Sequence, residues 1–136
     1  MHAAIAAFAE EVSREAGKIL LRGFRSDRTV VSYKSRTDIV TDSDRASEAF
    51  LVDAIAKRFP DHTIIAEEGS RRDEAGEYVW YVDPLDGTNN FAHGLPFFCV
   101  SIGVFSAKLD RIIAGVVYNP FMEEMFTAVR GGGAFC

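Results

Sequence analysis

Two apolar runs in this chain end in carboxylates. "TIIAEEG" closes on Glu67 and Glu68, and "YVWYVDPLDGTNNF" carries Asp83 and Asp86, with Gly87 and Thr88 directly behind. Charge is expensive at the end of a buried strand. If the two strands are neighbours, three or four carboxylates meet at one sheet edge, which raises their pKa values and destabilises the fold unless something positive joins them. A divalent cation resolves the repulsion, and hard oxygen donors select Mg²⁺ or Mn²⁺ over zinc. No His or Cys stands close enough in sequence to suggest a zinc site. The Asp83–Pro84–Leu85–Asp86 spacing lets one loop offer two carboxylates and the Leu85 carbonyl to metals. If Thr88 opens a helix or turn, the backbone N–H groups of Gly87 and Thr88 form an anion site suited to a phosphate.

Taken singly, each acid has an ordinary structural reading. Glu67–Glu68–Gly69 is a solvated loop, Asp83-Pro84 and Asp86-Gly87 are turns, and Asp44 is a helix-capping acid. The combination carries the argument for a site.

The elements that would position these acids appear as periodicities. Residues 3 to 24 place Ile5, Phe8, Val12, Ala16, Ile19 and Leu20 at helical spacing, with Glu10, Glu11, Arg14, Glu15 and Lys18 opposite. "TVVSY" predicts a short strand or extended segment, and residues 35 to 41 read as a polar loop. A second helix is predicted to start at Thr41 or Asp42, because Thr41 and Asp44 have the spacing of a capping box. Its stripe, Ala46, Phe50, Leu51, Ala54, Ile55 and Phe59, stops at Pro60. Thr63–Ala66 reads as a strand, residues 69 to 77 as a charged loop, and Tyr78–Val82 as a central strand apolar on both faces. From Phe97 onward "FFCVSIGVF", "RIIAGVVY" and "EMFTAVR" predict an antiparallel meander with two hairpin turns. The final "RGGGAFC" begins as a turn that ought to lead somewhere, yet nothing in the sequence fixes its three glycines. This order predicts an α+β fold, stacked helices on one face of a largely antiparallel sheet.

Composition narrows the class. The 136 residues suit one domain, and 48% apolar with 26% charged residues describes a globular chain rather than a disordered one. Net charge is −5, and no basic run exceeds Arg71–Arg72, which argues against a nucleic-acid surface. No apolar stretch reaches the ~20 residues of a membrane span, and the N-terminus lacks the basic start of a signal peptide, so the expectation is a cytoplasmic protein without a membrane partner. Cys99 and Cys136 are the only cysteines; they read as reduced, with Cys99 buried.

"DPLDGTNNF" resembles the D-P-I/L-D-G-T-x-N-F signature of the inositol monophosphatase family, the lithium-sensitive, Mg²⁺-dependent phosphatases. "DIVTDSD", "FPDHTIIAEEGS", "LPFFCVSIGV", "AGVVYNP" and "MFTAVRGGGAF" are similar to its other motifs, so the resemblance runs from residue 3 to residue 136. It implies the N-terminal part of the layered αβαβα sugar-phosphatase fold. It also implies roles. Glu67 resembles the metal-ligating glutamate, and Asp83 the aspartate bridging two metals. Leu85 matches a carbonyl ligand, and Asp86 holds the second and a third metal. Thr88 resembles the hydroxyl that helps activate the attacking water, oriented by Asp44. Gly87 and Thr88 bind phosphate oxygens, Asp86 also contacts the substrate, and Glu68 supports the metal shell from behind or binds a metal-bound water. Lys34 precedes a loop that lies near the active site in the family. The implied cofactor is two or three Mg²⁺ ions, with Mn²⁺ as an alternative and Li⁺ as inhibitor. The implied substrate is a small phosphorylated polyol or sugar, inositol 1-phosphate first, and the implied assembly of the full-length protein is a homodimer.

The family's downstream W-D-x-A-A-G segment, which supplies another metal ligand, has no match here; the one tryptophan is Trp80. The chain therefore reads as the N-terminal metal- and phosphate-binding domain, residues 1 to 136, without a C-terminal domain and with little or no activity alone. Alternatives are a fructose 1,6-bisphosphatase-like, sugar or nucleotide phosphatase of the same family, or a non-catalytic metal-binding or dimerisation module. The D-x-D-G-T loop of haloacid-dehalogenase-type phosphatases fits poorly, because Asp83 and Asp86 stand three apart rather than two.

Overall fold

The computed structural model describes residues 1–25, 31–33 and 39–136. Helix α1 (His2–Phe24) buries Ile5, Ala6, Ala9, Val12, Ser13, Ala16, Gly17 and Leu20. Phe8 and Ile19 of the predicted stripe are only half-buried, and small residues take their place at the contact. The reason is close approach. A Cβ on Gly17 would stand 2.6 Å from Cε2 of Tyr118, so only glycine lets the helix settle this far onto the sheet.

Two short strands, β1 (Val31–Tyr33) and β2 (Ile39–Thr41), pair antiparallel with Val31 opposite Thr41. Residues 39 to 41, expected as loop, are thus a strand: three consecutive β-branched residues favour extended backbone and find a partner in β1. Helix α2 (Asp42–Arg58) follows at once, with Thr41 as its N-cap and the expected capping box closed by Asp44.

The main sheet contains β3 (Thr63–Ala66), β4 (Arg71–Arg72), β5 (Tyr78–Asp86), β6 (Cys99–Ser106), β7 (Arg111–Asn119), β8 (Glu124–Val129) and β9 (Gly133–Phe135), with α3 (Thr88–Ala92) between β5 and β6. Its order is β4-β3-β5-β6-β7-β8-β9, antiparallel throughout except for the parallel pair β3–β5. Three elements exceed the sequence reading. The charged loop contains the two-residue β4, β5 continues through the acidic loop, and the glycine turn leads into β9, which pairs with β8.

The core lies between the sheet and the two long helices. Ile5, Leu20, Leu51 and Ile55 from the helices meet Ile64, Trp80, Val100, Val104 and Val116 from the sheet, all fully or almost fully buried. Burial alternates along β5 and β6, as a sheet covered on one side requires. On the opposite face Tyr81, Val117, Phe126 and Phe135 stay exposed, and the last three, with Ser101 and Gly115, border a hollow of about 600 Å³. No helix among the described residues is long and apolar enough to cross a membrane.

Candidate active site

The parallel pair sets the site. Ala66 lies opposite Val82, and the Glu67 N–H donates to the Val82 carbonyl at 2.9 Å. The parallel pairing ends at Ala66 and Val82, so Glu67 and Asp83 follow it side by side. Between them opens a cleft of about 300 Å³ lined also by Ile65, Tyr81, Val82 and Ser101. Beyond Asp83 the ladder slips. Asp83 faces Ser101 but Asp86 faces Cys99, so three steps on β5 span two on β6. The extra residue is a bulge, which kinks the Asp-Pro-Leu-Asp segment out of the regular ladder. The Leu85 N–H turns back to Asp83 Oδ1 at 3.3 Å, while the Leu85 side chain is anchored in the core at 2% exposure.

Gly87 closes this segment with φ +90°, and a Cβ there would lie 2.7 Å from the Phe97 carbonyl oxygen. Glycine is therefore required between Asp86 and Thr88 both for its backbone angle and for space. Thr88 starts α3, as the phosphate-cradle reading expects. Its Oγ1 lies 3.0 Å from Asp44 Oδ1 and 3.0 Å from the Leu85 carbonyl oxygen. The hydroxyl has one proton, and the ionised carboxylate is the stronger acceptor. Asp44 is fully buried, and its Oδ2 also accepts from the Thr41 N–H at 2.9 Å and the Thr41 hydroxyl at 2.5 Å. One carboxylate thus caps α2 and holds Thr88, 44 residues away.

The acids repel one another. Burial, then the Asp86 and Glu67 charges, raise the Asp83 pKa from 3.8 to about 6; the Leu85 N–H opposes this and Asp44 adds a smaller push. Cys99 was expected to be buried and is only partly so, with Sγ 3.9 Å from Asp86 Oδ2. Burial first, then Asp86 and Asp83, push its thiol up to about 11. Cys136 is exposed, and both cysteines are free.

Among the described residues no three His, Cys, Asp or Glu side chains are arranged as a ready metal cage. What the site does offer is a set of hard oxygen donors, Glu67, Asp83, Asp86 and the Leu85 carbonyl, under unrelieved like charge. That chemistry fits a hard divalent cation. Lys34 falls outside the described residues.

Two residues behind the acids escaped the sequence reading. Ser47 and Glu48 of α2 are buried, whereas Ala46, placed on the predicted stripe, is exposed. The buried face of α2 is Ser43, Asp44, Ser47, Glu48, Leu51 and Ile55, polar in its first half and apolar in its second. Counting back from Leu51 and Ile55 in steps of three and four would have found it. The Ser47 hydroxyl donates to the Pro84 carbonyl at 2.8 Å, and Glu48 accepts from the turn that follows Glu67.

The family model for the inositol monophosphatase family matches residues 1–136. The chain belongs to the inositol monophosphatase family. It is 44% identical over 131 residues to inositol monophosphatase 3 of Solanum lycopersicum, covering 93% of this chain and 48% of that protein. It is 46% identical over 124 residues to the Nus factor SuhB of Pasteurella multocida, covering 90% of this chain and 46% of that protein. In structure it matches the extragenic suppressor protein SuhB of Bartonella henselae with a TM-score of 0.91 and 39% identity, over 97% of this chain and 51% of that one. The IMPase of Thermotoga maritima follows the same pattern, with a TM-score of 0.83, 38% identity, and coverage of 95% and 49%. The chain therefore spans about half the length of the curated relatives it matches, and its helices-on-antiparallel-sheet architecture is the corresponding portion of the family fold.

Proposed function

We propose that this chain carries the metal- and phosphate-binding half of a phosphoric monoester hydrolase acting on a small phosphorylated polyol or sugar, inositol 1-phosphate first. The observation that best supports this reading is that Glu67 and Asp83 stand side by side just past the end of the parallel β3–β5 pairing, with Asp83 pushed up to about 6 by burial and by its acidic neighbours. Glu67, Asp83, Asp86 and the Leu85 carbonyl would hold two or three Mg²⁺ ions; Mn²⁺ would substitute and Li⁺ would inhibit. When bound, Mg²⁺ supplies Lewis acidity, lowering the pKa of water and offsetting charge on the phosphate. The remaining chemistry falls to the chain. Thr88 Oγ1 donates a hydrogen bond to buried Asp44 and keeps its lone pairs to accept a hydrogen bond from the attacking water, which it orients. The Gly87 and Thr88 N–H groups, at the start of α3, would bind the phosphate oxygens. Glu67 orients the nucleophile, and Glu68 supports the shell from behind.

The relatives include proteins named for inositol monophosphatase and for Nus factor SuhB at similar identity, so similarity alone does not choose between those roles. The acidic site favours the phosphatase, and a net charge of −5 disfavours nucleic acid as the ligand. The test is calorimetric titration of the chain with Mg²⁺, using Asp83→Asn as control. Binding by the native chain, weakened at least tenfold in the variant, supports the site; identical titrations overturn it.

A further inference from the structure

Glu48 is a buried acid with no assigned task. It is 5% exposed, on α2, and makes no ion pair among the described residues. Its partners are all donors from one turn. Oε1 accepts from the Glu68 N–H at 2.8 Å; Oε2 accepts from the Ser70 hydroxyl at 2.5 Å and the Ser70 N–H at 3.4 Å. That turn is closed by the Gly69 N–H on the Ala66 carbonyl and the Ala66 N–H on the Ser70 carbonyl. Glu67 is thereby fixed on both sides. Its own N–H is tied to β5, and the next N–H along the chain is tied to Glu48.

The same face of α2 reaches the other acidic loop. Ser47 donates to Pro84, and Asp44 accepts from Thr88. Residues 44, 47 and 48 stand at i, i+3 and i+4, so one rigid helical face holds the turn after Glu67, the loop between Asp83 and Asp86, and the Thr88 hydroxyl. A carboxylate is a costly group to bury merely to close a turn. We propose that Glu48 is a positioning residue that sets Glu67 against Asp83 by pinning the Glu67–Ser70 turn to α2. The inference rests on the metal-site reading above.

Mn²⁺, read by electron paramagnetic resonance on the 136-residue chain, is the probe. Glu48→Gln is expected to speed hydrogen exchange at the Glu68 and Ser70 amides and to weaken Mn²⁺ binding about tenfold, the usual effect of losing an outer partner of a ligand. The weakening should disappear in a Glu67→Gln background, because Glu48 acts through Glu67. Ser70→Ala, in a half-exposed turn, removes the hydroxyl donor while leaving Glu48 intact; it should weaken Mn²⁺ severalfold with the same dependence on Glu67. It decides the matter if Glu48→Gln fails to fold. If Asp83→Asn weakens Mn²⁺ while Glu48→Gln and Ser70→Ala leave it unchanged, Glu48 only supports the fold and the proposal falls alone. The same holds if their effects persist in Glu67→Gln. If Asp83→Asn itself changes nothing, the metal reading falls and takes the proposal with it.

Discussion

Removing the charge of Asp83 should make the metal-free protein more stable at neutral pH. Its pKa is raised from 3.8 to about 6 by burial and by Asp86 and Glu67. In full, that difference corresponds to roughly 3 kcal/mol of preference for the neutral acid. Asp83 is half-exposed, so solvent and salt screen part of it, leaving roughly 1–1.5 kcal/mol. Between pH 3.8 and 6 the folded state holds more protons than the unfolded one, so this group's contribution lowers stability as pH rises through that window. Above pH 6 the full penalty applies. Asp83→Asn keeps an oxygen for the Leu85 N–H and removes the charge. In EDTA at pH 8, urea unfolding should show the variant more stable by about 1–1.5 kcal/mol, or roughly 4–6 °C in Tm. At pH 4 the two proteins should converge. Added Mg²⁺ should reverse the order, stabilising the native chain and leaving the variant nearly unmoved. If Asp83→Asn lowers stability in EDTA at pH 8, or the difference does not change with pH, the acids do not repel as argued.

Other outcomes follow from the same geometry. Asp44→Asn places an amide against donors from Thr41 and Thr88 and should cost about 2–3 kcal/mol by urea denaturation; an unchanged midpoint would show that the buried carboxylate is not holding them. Gly87→Ala forces φ +90° on an L side chain and a clash with the Phe97 carbonyl, so about 2 kcal/mol or more should be lost, measured the same way. His62 accepts from the Trp80 indole N–H at 2.9 Å, and burial lowers its pKa. A histidine held neutral in the fold contributes stability that is present above pH 6.5 and lost as pH falls toward its lowered value, so emission from the single tryptophan should track that loss and His62→Phe should abolish it. The 136-residue chain alone should hydrolyse inositol 1-phosphate with Mg²⁺ far more slowly than a full-length relative; equal turnover in a phosphate-release assay would show that this half suffices.

Much of the fold was readable because it rests on local periodicity. The capping spacing of Thr41 and Asp44 placed α2 within a residue of its start, and three strand-like runs from Phe97 onward, broken by turns, marked the meander. Failures came where a neighbour decides. Ile39–Thr41 became a strand because β1 pairs with it, and Gly133–Phe135 because β8 does. Ala46 was placed on the buried stripe because it is apolar, yet the helix turns its polar Ser47 and Glu48 inward, where two loops supply donors and acceptors that sequence distance conceals.

For the site, the sequence alone determined which groups are available: the carboxylates of Glu67, Asp83 and Asp86, and Gly87 and Thr88 directly behind them. These are chemical identities and short spacings, which survive without a fold. Only the tertiary structure decided that Glu67 and Asp83 meet just past a parallel strand pairing, that Asp44 reaches Thr88, and that one face of α2 ties both acidic loops together. Those facts depend on strand order and on which side of a helix packs inward, and both are set by burial of the whole core rather than by any short stretch of chain.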